Sequence, residues 1–586
     1  MQPTATPIVV EKPEPVPAAP EGLEVLARVA EPTRFFREIV THLPSALGSS
    51  LPPPETLAQL ALGSQLAELV DLAQPIDLAS VRAESTEVFA SFALKPDAEA
   101  RAAERVPTEE RRGLLFVKSG EKGGGFMSLS STCAFVPATR AAATRLVCAS
   151  SRESFAETAR WLAHGAFVEP IDSDARITIP GSVVRGDKGK ARPFADRTSK
   201  LGDEIVEQLT QEVATIQADL RLGASSGELS GALRLSRRSS PIARALVPST
   251  PPSPPSPAFF RLPSDALFAF HTPGATATDL APLRRVLFDS LESSLVEDGY
   301  LPEKVGAIRT HFETIAMTGG PLVVGVGVAG GLDRTEKALA ALDAPKTVSA
   351  ATAEANARAA LAPWVMIHVE QKPDVVVMSL KGIVKGADEA DRARKPGSAS
   401  VANAKKDPDG DHLDVRLVAL DPSLKLPLGT QALEVVIAPR TKGKRPVRRA
   451  RIFAVPKGDT TWIGYSEDVA GIASRLRTAI DDSSDAGTLA RSREAVELRS
   501  KRAAFTALTS IAGIALLTAD RRTVDELLSA ARAQSRLSLL PSHGASVLTV
   551  TGSSEVGVPD TGPAKLTASL SGPRALLTDL ATLLVR

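Results

Sequence analysis

Residues 460–480 of this 586-residue chain, TTWIGYSEDVAGIASRLRTAI, contain a complete transition from a strand to a helix. The first seven residues are rich in strand-forming types and follow a glycine and an aspartate, which predicts a strand. Ser466 is followed at once by Glu467 and Asp468, and acidic side chains favour the first turn of a helix. The stretch therefore predicts a strand that leads directly into a helix.

The same transition occurs in the first half of the chain, as RLVCASSRESFAETARWLAHG at 145–165. There, Ser150 and Glu153 have the spacing of a capping box. Each half also opens with a strand, a proline-bearing turn and an amphipathic helix, and each half ends with a strand, a turn and an apolar-faced helix. These recurrences predict a tandem duplication.

Between these landmarks each half contains short strand-like segments separated by Gly, Pro and Asp. The predicted strands are 86–95, 112–120, 125–131 and 144–150 in the first half, and 375–386, 412–420, 433–440, 448–457 and 460–466 in the second. Antiparallel meanders with flanking helices define the α+β class. We therefore expect two tandem copies of an antiparallel β-meander sheet with helices packed on it.

Proline-rich stretches predict the domain boundaries. Six prolines within residues 1–22 predict a disordered, extended tether at 1–21. The segment 248–263, PSTPPSPPSPAFFRLP, predicts a linker between repeat 1 at 22–247 and repeat 2 at 264–586. Within repeat 2, residues 386–411 have no apolar period and predict a disordered loop.

Composition narrows the class of partner. The net charge of +1 and an aromatic content of 4% argue against a nucleic-acid-binding protein. The longest apolar run, 503–519, is short for a bilayer span and contains several Thr and Ser, so we expect no transmembrane segment. The seven histidines are scattered without metal-ligand spacing, so the sequence nominates no catalytic, cofactor-binding or metal-binding residue and no cofactor.

A glycine motif, Gly325-x-Gly327-x-x-Gly330, lies between a strand-like and a helix-like segment. That order is typical of a dinucleotide-binding turn, in which glycines let the backbone approach a pyrophosphate. The glycines also alternate with valine in VVGVGVA, so the favoured interpretation is a glycine-rich strand. The basic stretch at 440–451, with seven Lys and Arg, predicts a solvated hairpin tip rather than a binding patch.

Cys133 and Cys148 are the two cysteines of the chain, and both lie in or beside apolar strand-like segments. On neighbouring strands they could form a disulfide, as is typical of an exported domain. As reduced residues they would suit the apolar core of a cytosolic protein equally well. The sequence leaves both alternatives open.

Together the landmarks resemble a loose group of predicted exported proteins and lipoproteins of high-GC bacteria, many assigned only to domains of unknown function. The matching pieces are 13–30, 145–165 and 259–272. The resemblance implies a location in the cell envelope and no known activity. Residues 1–22 contain no apolar signal segment, so it further implies a mature form from which the signal was removed.

The resulting prediction is a non-enzymatic structural or binding protein of the bacterial cell envelope, in the periplasm or anchored to the outer membrane. The sequence leaves the partner open, with envelope proteins or lipid as the candidates. The first alternative is a carrier that holds a lipid or another apolar ligand in a groove between sheet and helices. The second alternative is a nucleotide-dependent enzyme that uses the Gly325–Gly330 turn, and the alternative location is the cytoplasm.

Overall fold

The computed structural model of the chain combines helices and antiparallel strands, which make up 41% and 32% of the residues that it describes. It describes residues 17–43, 48, 51–82, 86–118, 132–139, 143–149, 155–166, 171–185, 207–297, 300–314, 319–343, 349–392, 411–439, 447–521, 523–557 and 561–585. Two compact units result, one of residues 1–186 and 215–224, the other of residues 187–214 and 225–586. None of the helices in the described ranges has the length and apolar character needed to cross a bilayer.

The first unit is built on an antiparallel sheet. Its strands are β1 (Leu23–Val29), β2 (Ile76–Arg82), β3 (Thr86–Ala93), β4 (Thr108–Arg111), β5 (Leu114–Val117), β6 (Thr132–Val136), β7 (Arg145–Ala149), β8 (Ala175–Pro180) and most of β9 (Val213–Leu222). Their spatial order is β4–β5–β6–β7–β3–β2–β1–β8–β9. Its helices are α1 (Pro32–His42), α2 (Pro54–Leu62), α3 (Ser64–Ala67), α4 (Ala98–Arg105), α5 (Phe155–His164) and α6 (Gly181–Arg185).

Helices cover both faces of this sheet. Successive strand side chains point to opposite faces, so Phe89 and Val147 pack beneath α5, whereas Phe92 and Leu146 pack against α2, α3 and α4. Proline at the first position of α1 and α2 suits a helix start, because the missing N–H would have no partner there. The apolar side chains of the first unit thus form two cores, one on each side of the sheet.

The second unit is built on a longer antiparallel sheet. Its strands are β10 (Ser226–Leu235), β11 (Phe268–Thr272), β12 (Leu322–Val328), β13 (Pro363–Val369), β14 (Asp411–Val418), β15 (Gln431–Pro439), β16 (Arg448–Lys457), β17 (Thr460–Ser466), β18 (Phe505–Ser510), β19 (Val547–Val556) and β20 (Ala564–Pro573). Their spatial order is β10–β20–β19–β18–β11–β12–β13–β17–β16–β15–β14.

The helices of the second unit are α7 (Pro241–Leu246), α8 (Pro257–Phe260), α9 (Ala277–Glu297), α10 (Pro302–Glu313), α11 (Gly331–Asp343), α12 (Ala350–Ala360), α13 (Pro373–Arg392), α14 (Val469–Ile480), α15 (Arg493–Glu497), α16 (Ile511–Thr518), α17 (Val524–Leu537) and α18 (Arg574–Val585). One sheet face, with Trp364, Met366 and Trp462, forms the main core beneath α14. The side chain of Asp468 caps α14 by accepting the backbone N–H of Gly471 at 2.9 Å. The predicted strand-to-helix transition at 460–480 is present as β17 and α14.

One predicted strand is wrong: residues 375–386 belong to α13. The valines suggested a strand, but the buried positions Val376, Ser379 and Gly382 recur at helical spacing. Gly382 and Gly386 are positions of close approach, because a Cβ there would collide with α10, at His311 O and at the Phe312 ring. Residues 386–392 of the predicted disordered loop complete this helix, and 393–410 lie outside the described residues.

The proline-rich segment 248–263 is an integral part of the second unit rather than an exposed linker. Phe259 and Leu262 are fully buried in its main core. The backbone N–H of Ser256 donates to Nε2 of His271 at 3.1 Å, which ties the segment to β11. Proline density predicted a break in regular structure, but the apolar residues that follow the prolines anchor the segment. The predicted tether lies outside the described residues up to residue 16.

Candidate functional site

The first two glycines of the Gly325–Gly330 motif allow large side chains to pack directly against the backbone of β12. Gly325 and Gly327 lie within β12, which pairs antiparallel with both β11 and β13. A Cβ on Gly327 would lie 2.6 Å from the ring of Trp364, and a Cβ on Gly325 would lie 2.7 Å from Leu262. The favoured interpretation of a glycine-rich strand therefore matches the geometry of β12.

The turn after β12 differs from a dinucleotide-binding turn. Such a turn needs free backbone N–H groups at the start of a helix in a parallel βαβ unit. Here the N–H of Ala329 donates to Ala362 O at 2.8 Å, and the N–H of Gly330 donates to Ala360 O at 2.9 Å. These two amides are therefore already used within the fold.

The sheet face of the second unit opposite the main core is apolar and half-buried. We call it the open face, and it includes Phe268, Phe270, Val324, Ile367 and Phe505. The Phe270 ring centroid lies 6.3 Å from that of Phe268 and 6.3 Å from that of Phe505. Aromatic rings at such separations attract each other in offset arrangements. A continuous aromatic strip therefore crosses from β11 to β18.

A cavity of about 490 Å³ lies on this open face. The sheet contributes Phe270, Leu322, Val369, Phe505 and Leu566 to its wall, and the helices contribute Leu246 of α7 and Leu280 of α9. Among the described residues that line it, Glu370 alone is charged. Ligand cavities in proteins typically measure about 300–1,000 Å³ and are mostly apolar. Size and lining therefore fit a small or chain-like apolar molecule.

Glycine turns build the rim of this cavity. Gly274 has a φ of 80°, and a Cβ there would collide with the backbone of Gly320. Two loops, after β11 and before β12, thus approach each other more closely than other residues would allow. Leu246 also lines this cavity and keeps 41% of its surface exposed. A large aliphatic side chain is therefore presented to solvent at the entrance.

The two cysteines form a disulfide in the first unit. Cys133 of β6 lies directly opposite Cys148 of β7, with their Cα atoms 4.0 Å apart. Both are buried in the core against α2, α3 and α4. Across the described ranges, His, Cys, Asp and Glu form no group of three or more that could hold a metal ion.

No motif in the sequence marks the residues of the open face as a site. The alternation in FAFHT at 268–272 predicts a strand, and it places Phe268 and Phe270 on one side. This spacing of two phenylalanines is the local feature of the sequence that points to an aromatic face. The neighbour Phe505 lies more than 200 residues away in sequence and meets Phe270 only through the pairing of β11 with β18.

Comparisons with known proteins provide no relative that would assign a role to these residues. No protein-family model matches the chain. No curated protein matches it either. Among solved structures, crystal form I of TP0453 matches with a TM-score of 0.19 and 11% sequence identity, over 38% of this chain and 78% of that chain. A likeness of this size carries no argument about fold or function.

Proposed function

We propose that the protein is a non-enzymatic binding protein that holds an apolar ligand, such as an acyl chain, in the cavity on the open face. The observation that carries the proposal is the wall of that cavity. It combines Phe270, Phe505 and several aliphatic side chains with a single charged residue, Glu370, among the described residues that line it. Transfer of apolar surface from water into such a wall is favourable by roughly 25 cal/mol per Å².

The proposal includes two tandem copies of one fold. The first unit has the strand order β4–β5–β6–β7–β3–β2–β1–β8–β9. The second unit contains the order β14–β15–β16–β17–β13–β12–β11–β18–β19, which is the same order with ten added to each strand number. The helices α5 and α14 both follow the equivalent strands β7 and β17. An identical order of nine strands supports a duplication, because the strands of a sheet can be arranged in many other orders.

The ligand site belongs to the second copy in this proposal. In the first unit the corresponding sheet face packs Phe92, Phe135 and Leu146 against α2, α3 and α4. In the second unit the corresponding face contains the apolar cavity instead. A duplicated sheet in which one copy is closed and the other is open gives one binding site per chain.

We place the protein in the bacterial cell envelope, in the periplasm or anchored to the outer membrane. The disulfide between Cys133 and Cys148 supports this location, because disulfides persist in oxidising compartments and are rare in the cytosol. Envelope proteins or lipids then become the natural partners. An intact mass of protein from its native cells, with and without reduction, tests the location through the two thiols.

Titration of the full chain with a fluorescent fatty acid tests the binding function. We expect saturable binding, and Leu246→Glu should weaken it by about tenfold or more, because a carboxylate at the apolar entrance opposes both the chain and its acid group. Leu246→Met retains the apolar entrance and should bind as the parent protein does. Leu539→Glu is the control for charge, because it adds the same charge at a residue that is 62% exposed and does not line the cavity.

Two results would contradict the proposal. One is an absence of saturable binding by the parent protein. The other is equal weakening by Leu246→Glu and Leu539→Glu, because that would show a general charge effect rather than occupancy of the cavity. Circular dichroism of each variant verifies that the fold is retained.

A further inference from the structure

A second cavity of the second unit has a different chemistry. It measures about 700 Å³ and lies beside the turn that follows β12. Four arginines from four separate elements line it: Arg334 of α11, Arg358 of α12, Arg448 of β16, and Arg521 after α16. Glu467 and Asp468 are the two carboxylates among the described lining residues. The wall therefore has two more positive than negative charges.

The carboxylates on the wall are already engaged. One oxygen of Glu467 is shared by two guanidinium groups, Arg521 at 2.7 Å and Arg448 at 3.7 Å. The carboxylate of Asp468 accepts the N–H of Gly471 as the cap of α14. A single carboxylate oxygen thus serves two arginines.

Arg334 is bound by carbonyl groups alone. Its Nη2 donates to Ala329 O at 2.7 Å and its Nε is 3.3 Å from Gly330 O. Arg358, by contrast, pairs with Glu354 at 2.7 Å, just outside the wall. With that carboxylate, the four arginines are accompanied by three carboxylates among the described residues of this cluster. A neutral carbonyl orients a guanidinium without neutralising it.

A helix end strengthens the positive potential. α11 begins directly after Gly330, so its amino-terminal end borders the cavity, whereas the amino-terminal end of α14 is already capped by Asp468. Helix amino termini carry a partial positive charge and favour anions. The carboxyl end of α12 also faces the cavity, but its carbonyls Arg358 O and Ala360 O accept bonds from Arg521 and Gly330. The opposing end is therefore already satisfied.

We propose that this cavity binds the phosphate group of a small phosphorylated molecule. Planar guanidinium groups match phosphate oxygens in pairs, and a wall lined by four arginines and two carboxylates suits a phosphate monoester. The volume of about 700 Å³ leaves room for an organic group beyond the phosphate. The amide of Asn356, also on the wall, offers a neutral donor for such a group. This site is independent of the apolar cavity.

Calorimetric titration of the full chain at low salt tests the proposal, with inorganic phosphate and glycerol 3-phosphate as soluble probes. Phosphatidylcholine vesicles with and without phosphatidic acid form a separate arm. We expect saturable binding of glycerol 3-phosphate that weakens with added sodium chloride. Saturation by the soluble probes identifies a free phosphorylated molecule as the ligand, and saturation by phosphatidic acid vesicles alone identifies a lipid headgroup.

Two variants should change the affinity for the probe in opposite directions. Arg334→Gln removes an exposed guanidinium and should weaken binding about tenfold, the usual effect of losing a charged hydrogen bond. Glu467→Gln removes the carboxylate that competes for Arg448 and Arg521, so it should tighten binding several-fold. Arg493→Gln is the matched control, because Arg493 is 87% exposed, pairs with Glu497 and lies outside the cavity wall.

The proposal is overturned if no probe binds saturably to the parent protein. It is also overturned if Arg334→Gln and Arg493→Gln have the same affinity, or if Glu467→Gln weakens binding. A purely structural role of the arginines would change the unfolding midpoint of Glu467→Gln without tightening the binding of any probe. The opposite signs therefore separate a ligand site from a scaffold of ion pairs.

Discussion

Replacement of Gly327 by alanine is the sharpest test of how β12 is built. Gly327 lies directly opposite Trp364 on β13, and the added Cβ would lie 2.6 Å from the indole ring. Carbon atoms pack best at about 3.5–4.0 Å, so the overlap is about 1 Å. Trp364 is fully buried, its Nε1 donates to Val328 O at 3.2 Å, and the guanidinium of Arg475 lies 5.0 Å from the ring centroid. The ring therefore has little freedom to move.

The expected magnitude follows from two opposing effects. Overpacking of a buried site typically costs about 1–3 kcal/mol. Loss of the backbone freedom of glycine in the unfolded chain stabilises the alanine variant by about 0.4–1 kcal/mol. We therefore expect Gly327→Ala to lower the free energy of unfolding of the second unit by about 1–2 kcal/mol.

Two other glycines complete a graded series. At Gly325 the nearest atom to an added Cβ is the methyl end of Leu262, which can rotate away, so the cost of Gly325→Ala should be smaller. At Gly306, an exposed position in α10, an added Cβ would meet nothing within 4 Å. Gly306→Ala should therefore stabilise the protein by about 0.5–1 kcal/mol. The predicted order of stability is Gly306→Ala, parent, Gly325→Ala, Gly327→Ala.

Urea unfolding followed by tryptophan fluorescence measures this order. The chain has three tryptophans, and Trp161 lies in the first unit. A Trp161→Phe background therefore restricts the signal to Trp364 and Trp462 of the second unit. The reasoning is refuted if Gly327→Ala unfolds at the same or a higher urea concentration than its parent, or if Gly306→Ala loses as much stability as Gly327→Ala.

Three further predictions follow from buried polar groups and from the disulfide. Asp279→Asn should cost about 3–5 kcal/mol in urea unfolding, because it leaves the fully buried guanidinium of Arg238 without its carboxylate. Burial lowers the pKa of His271 to about 4, below the unfolded value of about 6.5, so stability should rise with pH across that window. His271→Gln should flatten this rise in a pH series of unfolding midpoints, and an unchanged slope would disprove the assignment. Reduction of the Cys133–Cys148 disulfide should cost about 3 kcal/mol, measured by Trp161 fluorescence with and without dithiothreitol. An unchanged midpoint would contradict this last estimate.

Local patterns predicted those elements whose burial follows from their own sequence. The strand and helix at 460–480 and the strand predicted at 265–272, observed at 268–272, have alternation or capping that is visible within a few residues. The segment 375–386 was predicted wrongly because its valines suggested a strand, and the packing role of its glycines was not visible. Gly382 and Gly386 allow α13 to pack closely against α10, and a local sequence pattern contains no information about that contact.

The candidate sites were beyond local prediction for a related reason. The aromatic strip joins Phe270 to Phe505 through the pairing of β11 with β18. The arginine cavity collects side chains from four elements, and one of them, Arg448, belongs to a basic stretch that predicted only solvated charge. Proximity in both cases is created by the order of strands in the sheet. That order cannot be read from the spacing of residues along one segment.

The two cavities lie at opposite ends of the same pair of strands. Leu322 and Val369 line the apolar cavity, whereas Ala329 and Ala362, beyond the other ends of β12 and β13, line the arginine cavity. Seven residues of extended chain span about 20 Å. A single amphiphile would have to bridge the length of both strands. Separate ligands are therefore the simpler solution, and removal of one guanidinium at Arg334 should leave binding in the apolar cavity unchanged.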